Sequence, residues 1–111
     1  MERVRRAAEH SAMVIGAFQG AAQVGYMRVV SDRTRFAYLC DVWVDVPHRG
    51  KGLARAMVRA AVTNPEFSTV TTWLLATKDA HGVYASLGFT PLVFPSDWMH
   101  FKPPVCGPSC C

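Results

Sequence analysis

Between an apolar stretch and an amphipathic one, the chain runs Arg49-Gly50-Lys51-Gly52-Leu53-Ala54. Glycines at a strand-to-helix turn let the backbone bend sharply and bring its N–H groups close to a ligand. The first turn of the helix that follows adds unpaired N–H groups and partial positive charge, which together favour a phosphate. Arg49, Lys51 and Arg55 place mobile cations around the same spot. The chemistry is anion binding, and the ligand is a phosphate or a pyrophosphate. Two familiar phosphate loops do not fit. In a nucleotide-binding P-loop the Lys follows the last Gly and precedes Ser or Thr, whereas here Gly52 follows Lys51 and no hydroxyl is available for Mg²⁺. A dinucleotide fingerprint needs a third glycine where Arg55 stands. The plainer alternative is a glycine-containing turn on a solvated basic helix.

The elements around this turn follow from periodicity. Residues 3–9 suit a short helix, with Val4, Ala7 and Ala8 on one side and arginines on the other. Residues 12–18 and 23–30 read as two strands of a hairpin joined at Gln19-Gly20. A polar turn at residues 31–34 leads to a third strand over residues 36–44. Three strands on short turns make an antiparallel meander. From Gly50 to Val62 the apolar residues Leu53, Ala54, Met57, Val58, Ala61 and Val62 fall at helical spacing, opposite Lys51, Arg55 and Arg59. Asn64-Pro65 ends that helix, because proline disfavours helical geometry in the residue before it.

Residues 70–76 are β-branched and aromatic, which predicts a fourth strand, parallel to the third across the helical crossover. A second helix is expected over residues 80–87, capped by Asp79 and stopped by Gly88. Residues 90–94 read as a fifth strand, and residues 98–101 as a short edge segment. The order (α)βββαβαβ is that of one mixed α/β domain over residues 1–102, followed by a Pro- and Cys-containing tail, residues 103–111, expected to be disordered.

Composition excludes several classes. The 111 residues suffice for one small core and not for two domains. With 50% hydrophobic and 18% charged residues, intrinsic disorder is not expected. No apolar run approaches the roughly 18 residues that span a bilayer, and Ala7-Ala8-Glu9-His10 interrupts any signal-peptide core, so the expected compartment is the cytoplasm. The net charge of +4 is scattered, which argues against nucleic acid, although Lys51, Arg55 and Arg59 leave that reading testable by salt dependence. Cys40 stands in an apolar strand and reads as a small core hydrophobe, while Cys106, Cys110 and Cys111 crowd the tail without an accompanying histidine. That distribution suggests neither a disulfide framework nor a metal site.

With the turn and its flanks in place, residues 44–54 resemble the signature of the GNAT superfamily of N-acetyltransferases, [QR]-x-x-G-x-[GA], through Arg49, Gly50, Lys51, Gly52, Leu53 and Ala54. About 35 residues later, Tyr84-Ala85-Ser86-Leu87-Gly88-Phe89 resembles the family's Y-x-x-x-G-F segment. The similarity covers roughly residues 12–95 with the elements in the family's order, and two motifs at the expected separation are more specific than either alone.

The resemblance implies a splayed third and fourth strand with acetyl-CoA in the gap. Gly50 to Arg55 would cradle the pyrophosphate through backbone N–H groups, and Val42, Trp43 and Val44 would hydrogen-bond the pantetheine arm like an added strand. Tyr84 would point at the sulfur as proton donor, against the alternative of an aromatic packed on the buried side of its helix. The implied function is transfer of an acetyl group to a primary amine of a small molecule or peptide, without a nucleophilic cysteine or a metal. A non-catalytic acyl-CoA-binding module is the alternative.

Asp41 is the candidate base, with Asp45 on the same face of an unbroken strand. A family bulge would spoil that parity, and a structural carboxylate paired with Arg28 or Arg35 is an equal reading of Asp41. His81, one turn before Tyr84, suits either helix packing or a phosphate contact. Two departures stand out. Thr77 occupies the position where the family often has a cofactor-contacting Asn, seven residues before the Tyr. The usual N-terminal strand and helices that help form the acceptor pocket are not apparent, since residues 1–11 suffice for one short helix. An exposed apolar first strand is expected to pair with a second copy as a homodimer.

Overall fold

A computed structural model describes residues 2–104. Helix α1 (Glu2–Glu9) leads into β1 (Met13–Gln19), β2 (Ala22–Ser31) and β3 (Phe36–Val44). A 3₁₀ turn, Val46–His48, precedes α2 (Leu53–Val62), and a second, Pro65–Phe67, precedes β4 (Thr72–Leu74). Helix α3 (His81–Ala85) and a last 3₁₀ turn, Pro95–Asp97, follow. The strands form one sheet in the order β1-β2-β3-β4. The first three are antiparallel and β4 lies parallel to β3. The fold is mixed α/β, as the periodicity requires.

Local chemistry explains the connections. Asp32 Oδ1 accepts from the N–H groups of Thr34, Arg35 and Phe36 at 2.9, 2.8 and 3.1 Å, which locks the β2–β3 turn and lowers the carboxyl pKa from 3.8. Asn64 Oδ1 accepts from Glu66 N at 2.9 Å, so the residue before Pro65 starts a new turn where α2 stops. Helix α2 presses Met57, Val58 and Ala61 onto Met27, Val29, Ala37 and Leu39 of the sheet. Phe67 meets Trp73 edge-on at 5.6 Å beside them. Gly25 makes the seating possible, because a Cβ there would lie 3.1 Å from Ala17 Cβ and 3.2 Å from Met57 Cε.

Several expectations need correction. β4 pairs over three residues instead of the seven expected for 70–76, because it meets β3 only at its start. Residues 90–94 join no strand, nor do residues 98–101. Pro91 and Pro95 each lack the N–H that a ladder requires, and the apolar chains of Val93 and Phe94 stay exposed. Helix α3 is shorter than residues 80–87, and Asp79 does not cap it. The helix is capped at Ala80, whose N–H donates to Thr77 Oγ1 at 3.1 Å. Gly88 does end the segment in the left-handed region, at φ +100. Cys40 is buried, 3% exposed, as a core residue should be, but it is disulfide-bonded and so not the simple small hydrophobe expected. The expectation of disorder for the tail concerns mostly residues 105–111, which lie outside the described residues.

Candidate active site

The sheet opens where it stops pairing. β3 and β4 share a ladder only from Phe36↔Thr72 to Tyr38↔Leu74, and beyond it, among the described residues, no strand lies on that side of β3. The gap widens into a cavity of about 790 Å³ between the end of β3, the glycine turn and α3. Val42, Trp43 and Val44 line one wall, Arg49, Gly50, Gly52, Leu53, Ala54 and Arg55 the second, and Tyr84 the third.

The turn is a cradle of backbone. Gly50 and Gly52 adopt φ +78 and +80, and a Cβ on either would meet nothing within 4 Å, so the space is open. The first bond of α2 runs from Ala56 N to Gly52 O at 3.0 Å. Among the described residues the N–H groups of residues 50–55 therefore have no partner, and several line the cavity. Arg49 anchors the turn by donating from Nε to Val44 O at 2.9 Å. An open glycine cradle, unpaired N–H groups and two arginines fit an anionic phosphate group.

Tyr84 is 9% exposed, and its ring meets Phe89 edge-on at 6.0 Å. Burial raises its phenol pKa above 10.0, so the hydroxyl keeps its proton at neutral pH. Three predicted site residues do not line this cavity. Lys51 is exposed, and Thr77 faces a separate cavity beside β4, where its Oγ1 accepts from Ala80 N. Asp41 lies on the opposite side. In return, His48, Asp79, Gly82 and Ser86 line the cavity unforeseen. His48 falls inside the recognised segment and was within reach of sequence reasoning. His48 Nε2 lies 2.7 Å from Gln19 Oε1, a link from the turn to β1 that only tertiary structure creates.

Asp41 marks a bulge. The β2–β3 register shifts between Tyr26↔Trp43 and Arg28↔Cys40, and Asp41 itself has φ +57. Before the bulge Ala37 and Leu39 face α2; after it Val42 and Val44 pack there instead. Trp43 is thereby turned to the other face, beside Tyr26 and Arg28. A second cavity of about 800 Å³ opens on that face, walled by α1 and containing Asp41. Arg28 fixes Asp41 with Nε to Oδ2 at 2.7 Å, and also donates to Ser11 Oγ and Cys40 Sγ, both at 3.3 Å. Asp45 sits apart at the 3₁₀ turn, its Oδ2 3.5 Å from His48 Nδ1.

The comparisons with known proteins agree with this geometry. Residues 10–91 match the family model described as an acetyltransferase (GNAT) domain. A GNAT-family protein from Xanthomonas campestris pv. campestris is 43% identical, with a TM-score of 0.85 over 93% of this chain and 72% of that one. The chain belongs to the GNAT acetyltransferase family. Two more distant GNAT-like structures share the fold. The first is a GNAT-family acetyltransferase from Streptococcus pneumoniae, at 23% identity, TM-score 0.73 and coverage of 96% and 80%. The second is the ribosomal-protein-S18-alanine N-acetyltransferase of Escherichia coli, at 22%, 0.66, and 81% and 61%. No curated protein matches the chain. As a GNAT protein it is an acyltransferase. Among the described residues no helix is long and apolar enough to cross a membrane, and no group of three or more His, Cys, Asp or Glu side chains could hold a metal ion.

Proposed function

We propose that the protein transfers an acetyl group from acetyl-CoA directly to a primary amine. The observation that carries this reading is the open glycine cradle at Gly50 and Gly52, set across one cavity from the buried phenol of Tyr84. Acetyl-CoA would supply an acyl group already activated as a thioester. The unpaired N–H groups of residues 50–55, with Arg49 and Arg55, would hold the pyrophosphate. Val42, Trp43 and Val44, beside the gap and beyond the β4 ladder, would offer backbone hydrogen bonds to the amide-bearing arm and to the developing oxyanion.

The acceptor must arrive as a neutral amine, because an alkylammonium with pKa about 10.4 has no lone pair to give. In the balanced step the C–N bond forms and the C–S bond breaks. The amine proton passes to Asp41 or to water, and Tyr84 gives its proton to the departing sulfur. Burial suits Tyr84 to that donation, since it keeps the phenol neutral.

Thermal denaturation with and without saturating acetyl-CoA tests the cofactor half. At a hundredfold excess over Kd a ligand stabilises by about 2.7 kcal/mol, and the expected rise in Tm should vanish in Gly52→Asp. A Tm indifferent to acetyl-CoA in the wild type refutes both acetyl transfer and a non-catalytic acyl-CoA-binding role. We also propose a homodimer through β1, an edge strand with Phe18 63% exposed. Sedimentation at high concentration checks it, and a persistent monomer rules it out.

A further inference from the structure

The 3₁₀ turn that delivers the glycine cradle is tied down on two sides. Asp45 N donates to Val24 O at 2.8 Å, which holds the end of β3 to β2. The turn then continues through local bonds, His48 N to Asp45 O at 2.9 Å and Arg49 N to Val46 O at 3.2 Å. Past Arg49, among the described residues, no hydrogen bond from the N–H groups of Gly50, Lys51 or Gly52 fixes the chain. Order resumes where Ala56 N reaches Gly52 O at 3.0 Å. The cradle therefore takes its position from residues 45–49.

His48 supplies the second tie. Its Nε2 lies 2.7 Å from Oε1 of Gln19, the last residue of β1. Gln19 stands two residues after Ala17, which packs against the core, so it projects from the same face of the strand. A carboxamide can offer an imidazole nitrogen either its oxygen or its NH₂, so the contact survives either tautomer of the ring. The other nitrogen, Nδ1, is buried without a hydrogen-bond partner. It stands 3.5 Å from Asp45 Oδ2, beyond the roughly 3.2 Å of a good N–H···O bond. Among the described residues Gln19 thus gives the ring its short polar contact, and that ring lines the same cavity as Arg49, Gly50 and Gly52.

We propose that Gln19 is a positioning residue for the acyl-CoA site, acting through His48 to set where the glycine cradle stands. The β1–β2 hairpin is then part of the donor site although none of its residues lines that cavity. The value of the contact is geometric. Several N–H groups must reach one phosphate within hydrogen-bond distance together, so a turn that drifts loses them together. The assignment rests on the reading of the glycine turn as the acetyl-CoA site.

Calorimetric titration of acetyl-CoA into the full chain tests it, with the urea midpoint of the ligand-free protein read on the same variants. Gln19→Ala and His48→Ala should each weaken acetyl-CoA about fivefold. The double variant should also lose about fivefold, instead of the roughly 25-fold of two independent effects. His48→Gln places an amide nitrogen where the imidazole Nε2 stands, and should bind within about twofold of wild type. His48→Asn is too short to reach Gln19 and should behave like His48→Ala. Additive losses overturn the proposal, and so does His48→Gln as weak as His48→Ala. A lowered urea midpoint with affinity intact would make the contact purely structural and overturns it too. Should the His48 variants fail to fold, Gln19→Ala, at the exposed end of β1, decides alone. A wild type that does not bind acetyl-CoA rejects the reading of the turn itself, whereas wild-type binding indifferent to Gln19→Ala rejects only the positioning role.

Discussion

The two cavities flanking Trp43 are of similar size and opposite construction. The first, about 790 Å³, depends on backbone: glycines at positive φ, unpaired N–H groups at the start of α2, and the unpaired side of β3. The second, about 800 Å³, depends on side chains that α1, β2 and β3 bring to one face, with Asp41 pinned by Arg28. A backbone site recognises what every acyl-CoA has in common, its phosphates and amides. A side-chain site can be altered residue by residue.

The sharpest way to break this division is Gly52→Asp. The substitution forces a Cβ onto φ +80 and puts a carboxylate where an anion should bind. Acetyl-CoA affinity should fall by about a hundredfold or more in calorimetry, equivalent to roughly 3 kcal/mol. Tyr84→Phe should come next. A lost general acid lowers kcat by about ten- to a hundredfold, with the KM for acetyl-CoA nearly unchanged in a thiol-release assay. A matching fall in affinity would instead make Tyr84 a packing residue.

Gly25→Ala probes the frame common to both cavities. Its Cβ would press on Met57 and Ala17, and overpacking of this kind costs about 1–3 kcal/mol, readable as a lower midpoint in urea. The smallest effect belongs to Asp32, far from both sites. Its folded-state pKa lies below 3.8, so the folded protein binds fewer protons at this group than the unfolded chain. The stabilisation it contributes is present at neutral pH and is lost as pH falls below about 3.8 through the lowered value. Asp32→Asn should remove that acid-dependent component and leave acetyl-CoA binding as before.

The same contrast explains what could be read in advance. Residues 49–55 announce themselves because a strand, a glycine turn and a helix start are adjacent in sequence, and short-range geometry suffices to make the cradle. Gly88 was legible as a helix stop for a similarly local reason, whereas Tyr84 was singled out by the resemblance of residues 84–89 to the family's segment. The first three strands and α2 follow from apolar periodicities long enough to be unambiguous. The failures lie where pairing partners matter. Residues 90–94 have the composition of a strand, but Pro91 lacks the N–H a ladder requires, and the segment pairs with none of the sheet's strands. Thr77, expected at the cofactor, lines a separate cavity beside β4, and its hydroxyl accepts from Ala80 N at 3.1 Å.

The position of Asp41 depended on a single extra residue. The sequence alone determined that this chain would carry a glycine turn between a strand and a helix, since local backbone preference is written in Gly50, Gly52 and the periodicity after them. Only the tertiary structure decided that the bulge at Asp41 would reverse the alternation of β3, sending Val42 and Val44 to the core and Trp43 to the far face. The reason is that side-chain facing along a strand has a period of two. One inserted residue therefore redirects every residue beyond it, and whether it is inserted depends on the register with β2.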